Sequence, residues 1–439
     1  MRDDVAEVIK MNELLKPKIC LVPFGRLSSE DIVKDYEMFL GSIKKLDFDL
    51  IVTDPVDNEV AAINKGREIK KLDFDLLLSF ALHGFTGHLQ AKLAEEVGKP
   101  VVIWSLPSRY SLPTSGLAYG RLIEKGIKIK HIHALPDDSE ALSELRRFAT
   151  VAAVINKLSK LRLGAIGHPT PPMISSHFNR NVLKDRLGVD VVYITVSDLL
   201  RKFREISNKD VEIKLLEIKS KYRVRASEQA IWKAVKLYLA LKKIQEELGL
   251  DGVAVECYTE LYPIFGVNPC LGFIDDQLIG CEMDILNTVG AIIAQYLTNK
   301  PALITDPYSV SKDGVVTFIH CAAAASISEE AGSVDILEAE PPSIIKEKVM
   351  AVHCRPKVPE GKIVTVFRIY GRLFDTIYAT LGRVVSSSIS KGVEFKVKID
   401  NPREFINYTT GNHFVVAFGD IRHELKLLSE WLKIKYIET

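Results

Sequence analysis

Acidic side chains stand at the ends of two predicted elements in the middle of the sequence. Glu260 follows the strand-like run DGVAVECY, and Asp284 precedes the apolar helical run ILNTVGAIIAQYL. In open parallel sheets, ligands bind beyond the carboxyl ends of the strands, so Glu260 lies where a binding residue is expected. Glu256 falls within the same strand, where neighbouring layers would have to supply it with a partner.

Each carboxylate also has a purely structural interpretation. Glu260 could be a solvated loop acid, and Asp284 could be the N-cap of the helix that it precedes, accepting a hydrogen bond from a free backbone N–H. Glu282 lies two positions before Asp284, and within a helix two such side chains would point about 200° apart. We therefore expect one ligand from this pair unless Glu282 lies in extended chain.

Two histidines stand at strand ends further along the chain. His320 ends the run VVTFIHC, and His413 lies between a Gly/Asn turn and the run FVVAFGD. A single histidine in such a place is more often a hydrogen-bonded core or loop residue than a ligand. A site of two carboxylates and an imidazole nevertheless suits Mn²⁺ or Mg²⁺, whereas a thiolate-rich site would suit zinc.

Composition and missing motifs narrow the classes of function. The sequence has no GxxxxGK[ST] loop, no GxGxxG after a strand and no GxSxG, so nucleotide binding and the commonest hydrolase chemistry have no support. It carries 58 Lys and Arg against 57 Asp and Glu, a net charge of +1, which gives no overall field to attract nucleic acid or an anionic membrane. We expect a small neutral partner, with no nucleic acid and no membrane.

The sequence also suggests a compartment. No apolar h-region follows a basic N-terminal segment, and no run reaches the roughly 18 apolar residues that span a bilayer. The six cysteines form no CxxC pair, so most are expected to be reduced and buried. We expect a cytoplasmic protein. Only five glutamines occur beside abundant Lys, Glu and Ile, a bias that is typical of heat-adapted proteins.

The alternation of elements predicts three domains. Short β-branched runs followed by amphipathic stretches indicate a parallel α/β domain over residues 1–158, and a second alternation indicates another over 159–298. Close-set strands separated by Gly and charged turns then indicate a β-rich domain over 299–439. The predicted fold class is α/β, with two Rossmann-like domains followed by a mostly antiparallel β C-terminal domain.

The order of the motifs resembles that of the L-fucose/L-arabinose isomerase family and its shorter archaeal-type relatives. The pieces are ECYTE, GCEMDILNTVGA, a strand that ends in HC, VTVFRIYG and GNHF, and they cover about residues 160–420. The first α/β domain fits the family in general pattern only, with LHGFTGH as its most suggestive piece.

The resemblance implies an enzyme that interconverts an aldose and a ketose with a divalent metal, usually Mn²⁺. Carried over by motif, the metal ligands are Glu260, Asp284 and His413, and His320 is a further ligand or a substrate contact. Glu260 and Asp284 would also be the acid/base pair that moves a proton between C2 and C1 through an enediolate.

The resemblance also implies a homo-oligomer, a trimer or hexamer, in which the N-terminal domain of a neighbour covers the site. That gives Arg26, His83 and His88 a role as substrate contacts. The alternative for LHGFTGH is a helix-entry turn whose histidines bind backbone groups. The chain departs from the family after His320, where it reads HCAAAASISEEAGS, and this leaves the ligand role of His320 open.

Two other functions fit the same pattern. Two α/β domains around a cleft also describe a non-catalytic sugar or small-molecule binding protein, which would need no metal carboxylates. The same enediolate chemistry would also serve a metal-dependent epimerase or lyase acting on a related carbohydrate. Because the chain is shorter than the full-length fucose and arabinose enzymes, the sugar itself is left open.

Overall fold

The computed structural model describes residues 15–170, 173–257, 259–275, 279–329, 333–339, 351–371 and 373–439. They divide into two compact units, residues 15–157 and residues 158–439. The three predicted domains, and in particular the boundary at residue 298 within the second unit, stay predictions.

Residues 15–157 fold around a five-stranded parallel sheet. Its strands are β1 (Lys18–Phe24), β2 (Asp49–Val52), β3 (Leu76–Ala81), β4 (Val101–Ser105) and β5 (Ile129–His133), in the order β2-β1-β3-β4-β5. The helices are α1 (Glu30–Lys44), α2 (Glu59–Ile69), α3 (Gly87–Val97), α4 (Ser111–Glu124) and α5 (Ser139–Lys160), the last of which runs across the division. β1, β3 and β4 are nearly continuous apolar runs because both faces of a parallel sheet are covered.

The second unit begins with another parallel sheet. Its strands are β6 (Arg162–Ile166), β7 (Asp190–Ile194), β9 (Gly252–Val255) and β10 (Ile279–Cys281), in the order β10-β9-β6-β7, and the short strand β8 (Arg223–Val224) lies outside it. The helices are α6 (Arg180–Leu187), α7 (Val196–Glu205), α8 (Asn208–Lys221), α9 (Glu228–Leu248), α10 (Leu261–Phe265) and α11 (Ile285–Thr298). The strand order reverses beside β6, so the carboxyl ends of β6 and β9 flank a topological switch point.

A closed antiparallel barrel follows. The strands after α11 are β11 (Leu303–Val310), β12 (Val315–His320), β13 (Val334–Ala339), β14 (Ala351–Pro356), β15 (Ile363–Tyr370), β16 (Thr376–Ser388), β17 (Val393–Ile399), β18 (Phe414–Phe418) and β19 (Lys435–Glu438), with helices α12 (Pro402–Asn407) and α13 (Arg422–Leu432). The barrel runs β15-β18-β11-β12-β17-β16 and closes because β16 also pairs with β15. β19 lies parallel to β16, and β14, β13 and β8 form a separate three-stranded sheet.

The predicted fold class is confirmed at this level, as parallel Rossmann-like sheets followed by an antiparallel C-terminal part. Closure of that part into a barrel was not predicted. The pairing of β15 with β16, which closes the barrel, does not change the alternation of apolar and polar residues along either strand. Among the described residues, no helix has the length and apolar character that a membrane crossing requires.

Helix α11 connects the second parallel sheet to the barrel. It is apolar and almost wholly buried, as expected of a helix that is covered on all sides. A Cβ on Gly290 would lie 3.0 Å from Val415 Cγ2 of β18, so the helix backbone lies directly on that strand. The start of α11 and the start of β18 are thereby held together, and Asp284 and His413 are the residues that precede them.

Candidate functional site

Three adjacent barrel strands bring Asp306, His320 and His413 together. β11 lies between β12 and β18. Its residue Asp306 pairs with Ile319 of β12, and the preceding Thr305 pairs with Phe414, the first residue of β18. His320 is the last residue of β12, and His413 immediately precedes β18. One ligand atom from each of the three lies within 4.8 Å of the others.

Glu282 reaches the same point from the parallel sheet. Its Oε2 lies 3.5 Å from His413 Nε2 and accepts a hydrogen bond from Asn412 Nδ2 at 2.9 Å. Glu282 and the following residue, Met283, have φ angles of 55° and 52°. Residues other than glycine rarely adopt this left-handed conformation, and backbone strain of this kind concentrates at functional sites. The strained turn between β10 and α11 directs a buried carboxylate at the histidine.

Asp284 is at once a helix cap and the partner of His413. Its Oδ1 accepts from the backbone N–H of Asn287 at 3.1 Å, so the predicted N-cap role is confirmed. Its Oδ2 lies 2.6 Å from Asn287 Nδ2 and 3.0 Å from His413 Nδ1. The residue is fully buried. Asp284 therefore orients His413 by accepting from Nδ1, an arrangement that supports histidine ligands in metalloproteins.

The free nitrogen of the cluster is His413 Nε2. It is buried and has no hydrogen-bond partner among the described residues. Besides Glu282 Oε2, the nearest acidic atom is Asp306 Oδ1 at 3.9 Å. Two ligands that each lie about 2.1 Å from an octahedral ion are about 3.0 Å apart when cis and about 4.2 Å apart when trans. The separations of 3.5 and 3.9 Å at His413 lie between these two values, so the residues fit a divalent metal after small side-chain adjustments.

His320 has the tautomer that a ligand requires. Its Nδ1 lies 2.9 Å from the carbonyl oxygen of Ala322, so Nδ1 carries the proton and donates it. Nε2 is then left with a lone pair. The imidazole ring is buried and faces the ring of His413, with 5.6 Å between the centroids. Fixing the tautomer through a backbone carbonyl is the usual preparation of a metal-binding histidine.

The pKa values of the cluster reflect burial and unbalanced negative charge. Burial raises the pKa of Glu282 and of Asp306, and each is raised further by a neighbouring carboxylate. Burial opposes protonation of His413, but its hydrogen bond to Asp284 and the nearby carboxylates raise its pKa to about 9. Burial, followed by the charge of His413, lowers the pKa of His320 to about 4. A cation at this point would stabilise the carboxylates that burial disfavours.

The polar contacts of Glu260 lie outside this cluster, and its ligand role stays a prediction. Its Oε1 lies 2.9 Å from His168 Nδ1, and its backbone N–H donates to Glu256 Oε2 at 2.7 Å. Within the described part of the chain, no polar contact joins Glu260 to Asp284 or His413. The reason is topological, because Glu260 follows β9 at the switch point, whereas the histidines come from the barrel end.

Glu282 and Asp306 lie beside His413 although the motifs did not select them. The interval from Glu260 to Asp284 is 24 residues, and so is the interval from Glu282 to Asp306, since 284 − 260 and 306 − 282 are equal. The spacing alone therefore selects neither pair. The sequence left one condition open, that Glu282 could join the site if it lay in extended chain. It lies instead in a left-handed turn before α11, with a φ of 55°.

The three residues predicted to contact substrate from the first unit are Arg26, His83 and His88. Arg26 Nε pairs with Asp57 Oδ2 at 2.6 Å. His83 Nε2 accepts from the backbone N–H of Arg26 at 3.0 Å, and His83 Nδ1 lies 2.8 Å from the carbonyl oxygen of Gly84. Both ring nitrogens of His83 thus bind backbone groups, as the structural alternative predicted. His88 is exposed in the first turn of α3. The substrate roles of Arg26, His83 and His88 stay predictions.

Comparison with known proteins places the chain near sugar isomerases. No protein-family model matches the sequence. The chain is 23% identical over 326 residues to a sulfoquinovose isomerase of Clostridium sp. (strain MSTE9), covering 70% of this chain and 71% of that protein. It is 24% identical over 260 residues to sulfoquinovose isomerases of Priestia aryabhattai and Priestia megaterium (strain ATCC 12872 / QMB1551), covering 54% of this chain and 57% of each relative.

These matches confirm the prediction of an enzyme related to aldose–ketose sugar isomerases. A relationship to the L-fucose/L-arabinose isomerases themselves stays a prediction.

Proposed function

We propose that this chain is a metal-dependent aldose–ketose isomerase whose ion is held by Glu282, Asp306, His320 and His413. The observation that carries the proposal is the buried, unpartnered Nε2 of His413, which faces two carboxylates at 3.5 and 3.9 Å. Carboxylate oxygens and imidazole nitrogens together suit Mn²⁺. The similarity to named sugar isomerases supports the reaction class.

The reaction needs a base beside the sugar carbons. Converting an aldose into a ketose takes the hydrogen of C2 as a proton and returns a proton to C1, while the hydroxyl proton moves from O2 to O1. When bound, a divalent cation would stabilise the negative charge that develops on these two oxygens.

Asp306 is the carboxylate that a substrate can reach. Its side chain is 38% exposed, whereas that of Glu282 is 5% exposed and is held by Asn412. We therefore assign the transfer between C2 and C1 to Asp306 and the tighter metal contact to Glu282.

The test is turnover of a panel of aldoses by protein that is stripped with EDTA and then reloaded with Mn²⁺. NMR of the products should show a ketose with the reloaded protein and none with the stripped protein. Formation of only an epimeric aldose, or sugar binding without turnover by Mn²⁺-loaded protein, would contradict the proposal.

Variants separate the proposed ligands from the motif-based ones. Glu282→Gln and Asp306→Asn should lower turnover by about 100-fold or more and lower the Mn²⁺ content measured by mass spectrometry. Asp400→Asn is the matched control, since Asp400 is exposed on the turn after β17. Glu260→Gln should keep its Mn²⁺. Loss of the ion in that variant alone would favour the motif-based ligand set instead.

A further inference from the structure

A large cavity lies at the carboxyl ends of β6, β7 and β9. Its volume is about 650 Å³, which is within the range of small-molecule sites. Met283, the residue between Glu282 and Asp284, forms part of its wall, so the cavity borders the strained turn of the metal cluster. Apolar walls come from Tyr193, Ile264 and Met283, and polar groups come from His168, Thr195 and Glu260.

Contacts across the switch point position the carboxylate of Glu260. His168 follows β6 and Glu260 follows β9, and their side chains meet at 2.9 Å. Gly167 has a φ of 83°, and a Cβ there would lie 2.7 Å from Glu260 Oε2, so only glycine lets the loop lie against the carboxylate. The buried Glu256 accepts from the backbone N–H groups of Thr259 and Glu260, each at 2.7 Å. The carboxylate is therefore pre-positioned.

The charge of the cavity is unsuited to an anion. None of the described residues that line it is Lys or Arg. The amino end of α7, which would otherwise attract an anion, is capped by Thr195 and already faced by Asp198. The carboxylate of Asp198 accepts from Thr195 Oγ1 at 2.6 Å and from Arg201 at 3.0 Å. Glu260 adds a further negative charge to the wall.

We infer that this cavity binds the hydroxylated end of the sugar, remote from the carbonyl carbons, and that the substrate is a neutral sugar. This inference rests on the proposed isomerase function. Glu260 and Nε2 of His168, the ring nitrogen opposite the one that contacts Glu260, bind hydroxyl groups, while Tyr193 and Met283 contact the C–H groups of the sugar. A sulfonate, phosphate or carboxylate at that end would meet Glu260 at short range, where like charges repel strongly. The chain thus differs in substrate from its relatives, whose name specifies sulfoquinovose.

A second cavity is lined by a positively charged side chain, Arg368, and carboxylates of the same protein balance that charge. This cavity, of about 950 Å³, is lined by Arg368, His177 and Thr410 among others. Arg368 is 2% exposed and donates to the carbonyl oxygen of His413 at 2.5 Å. The carboxylates of Asp284 and Asp306 act on its charge. The positive charge of Arg368 is therefore balanced by the carboxylates of the proposed metal cluster. Little net positive charge remains to attract an anionic substrate.

Binding of sugar alcohols to Mn²⁺-free protein tests the inference without requiring turnover. Isothermal titration would compare a neutral hexitol with the same hexitol 6-phosphate and 6-sulfonate. We expect the neutral compound to bind about tenfold more tightly or better than either anion. Glu260→Gln should reduce the ratio of the affinities for the neutral and the anionic compounds severalfold. His168→Ala should lower the affinity for the neutral compound. Glu212→Gln, an exposed site on α8, is the control of equal charge change and should leave the preference unaltered.

The outcomes are distinguishable from those of the isomerase test. The protein could bind the hexitol, with the expected response to Glu260→Gln, and yet convert no aldose. That result would support sugar binding in this cavity and refute the isomerase function. Equal or tighter binding of the anions, or no binding of the hexitol, would overturn the inference. A kcat/KM that is higher for sulfonated than for neutral aldoses would overturn it as well, while leaving the isomerase function intact.

Discussion

Asp284 accepts hydrogen bonds with both carboxylate oxygens, and one of its donors is His413 Nδ1. The hydrogen bond to His413, together with the charge of Arg368, outweighs the effect of burial and lowers the pKa of Asp284. A charged acceptor at Nδ1 raises the basicity of the opposite nitrogen, Nε2, which faces Glu282 and Asp306. In the proposed site, Asp284 is therefore a positioning residue for His413, and its predicted role as a ligand stays to be tested.

Replacing Asp284 by Asn tests this role. The amide keeps the size of the side chain and an acceptor for the helix cap, but it loses the charge opposite His413. We expect the Mn²⁺ affinity to fall by about 10- to 100-fold, measured by electron paramagnetic resonance of free Mn²⁺. The affinity in Asp400→Asn should be unchanged. A variant that binds no Mn²⁺ at any concentration would show that Asp284 is a direct ligand.

The ligand roles of individual residues stay predictions, but part of the cluster could be found from the sequence. His413 and His320 were selected because the resemblance to the isomerase motifs covers them. Glu282 and Asp306 were not selected, because their convergence depends on a left-handed turn and on the register of β11 against β18. Neither feature has a local sequence signal, since Glu282 is not a residue type that favours positive φ.

At the element scale, the contact of β10 with α11 fixes the turn that carries Glu282. A Cβ on Gly280 would overlap Thr288 Oγ1, and that hydroxyl is itself bound to the carbonyl oxygen of Asp284 at 2.7 Å. Glycine is thus required for the strand to reach the helix. The alternation of elements in the sequence predicted both parallel sheets, but it could not predict a contact that depends on a missing side chain.

Gly280→Ala should therefore loosen the turn. We expect a loss of about 1–3 kcal/mol in the free energy of unfolding, as in overpacked cores, and weaker Mn²⁺ binding, measured by denaturant titration and metal titration. Adding Thr288→Ala removes the overlapping hydroxyl and should restore part of the stability. Gly120→Ala in α4 is the opposite control, because nothing lies near a Cβ there, and it should stabilise by about 0.5–1 kcal/mol. Equal effects of Gly280→Ala and Gly120→Ala would refute the contact argument.

At the scale of the whole molecule, each of the two compact units has its own core. The core of residues 15–157 contains residues from β1, β3 and β4, and the proposed metal ligands all belong to residues 158–439. The predicted trimer or hexamer stays a prediction, to be checked by the mass of the particle in solution. Chains with more than one core commonly unfold in more than one step, so metal binding need not stabilise both units equally.

Mn²⁺ should raise the unfolding temperature of one unit only. An ion at 100 times its dissociation constant stabilises the native form that binds it by about 2.7 kcal/mol. Because Glu282, Asp306, His320 and His413 all lie in residues 158–439, we expect Mn²⁺ to slow hydrogen exchange of peptides from that unit during heating. Peptides from residues 15–157 should exchange at an unchanged rate, and Asp306→Asn should abolish the protection. Equal protection of both units by Mn²⁺ would mean that they unfold together or that the first unit also binds the ion.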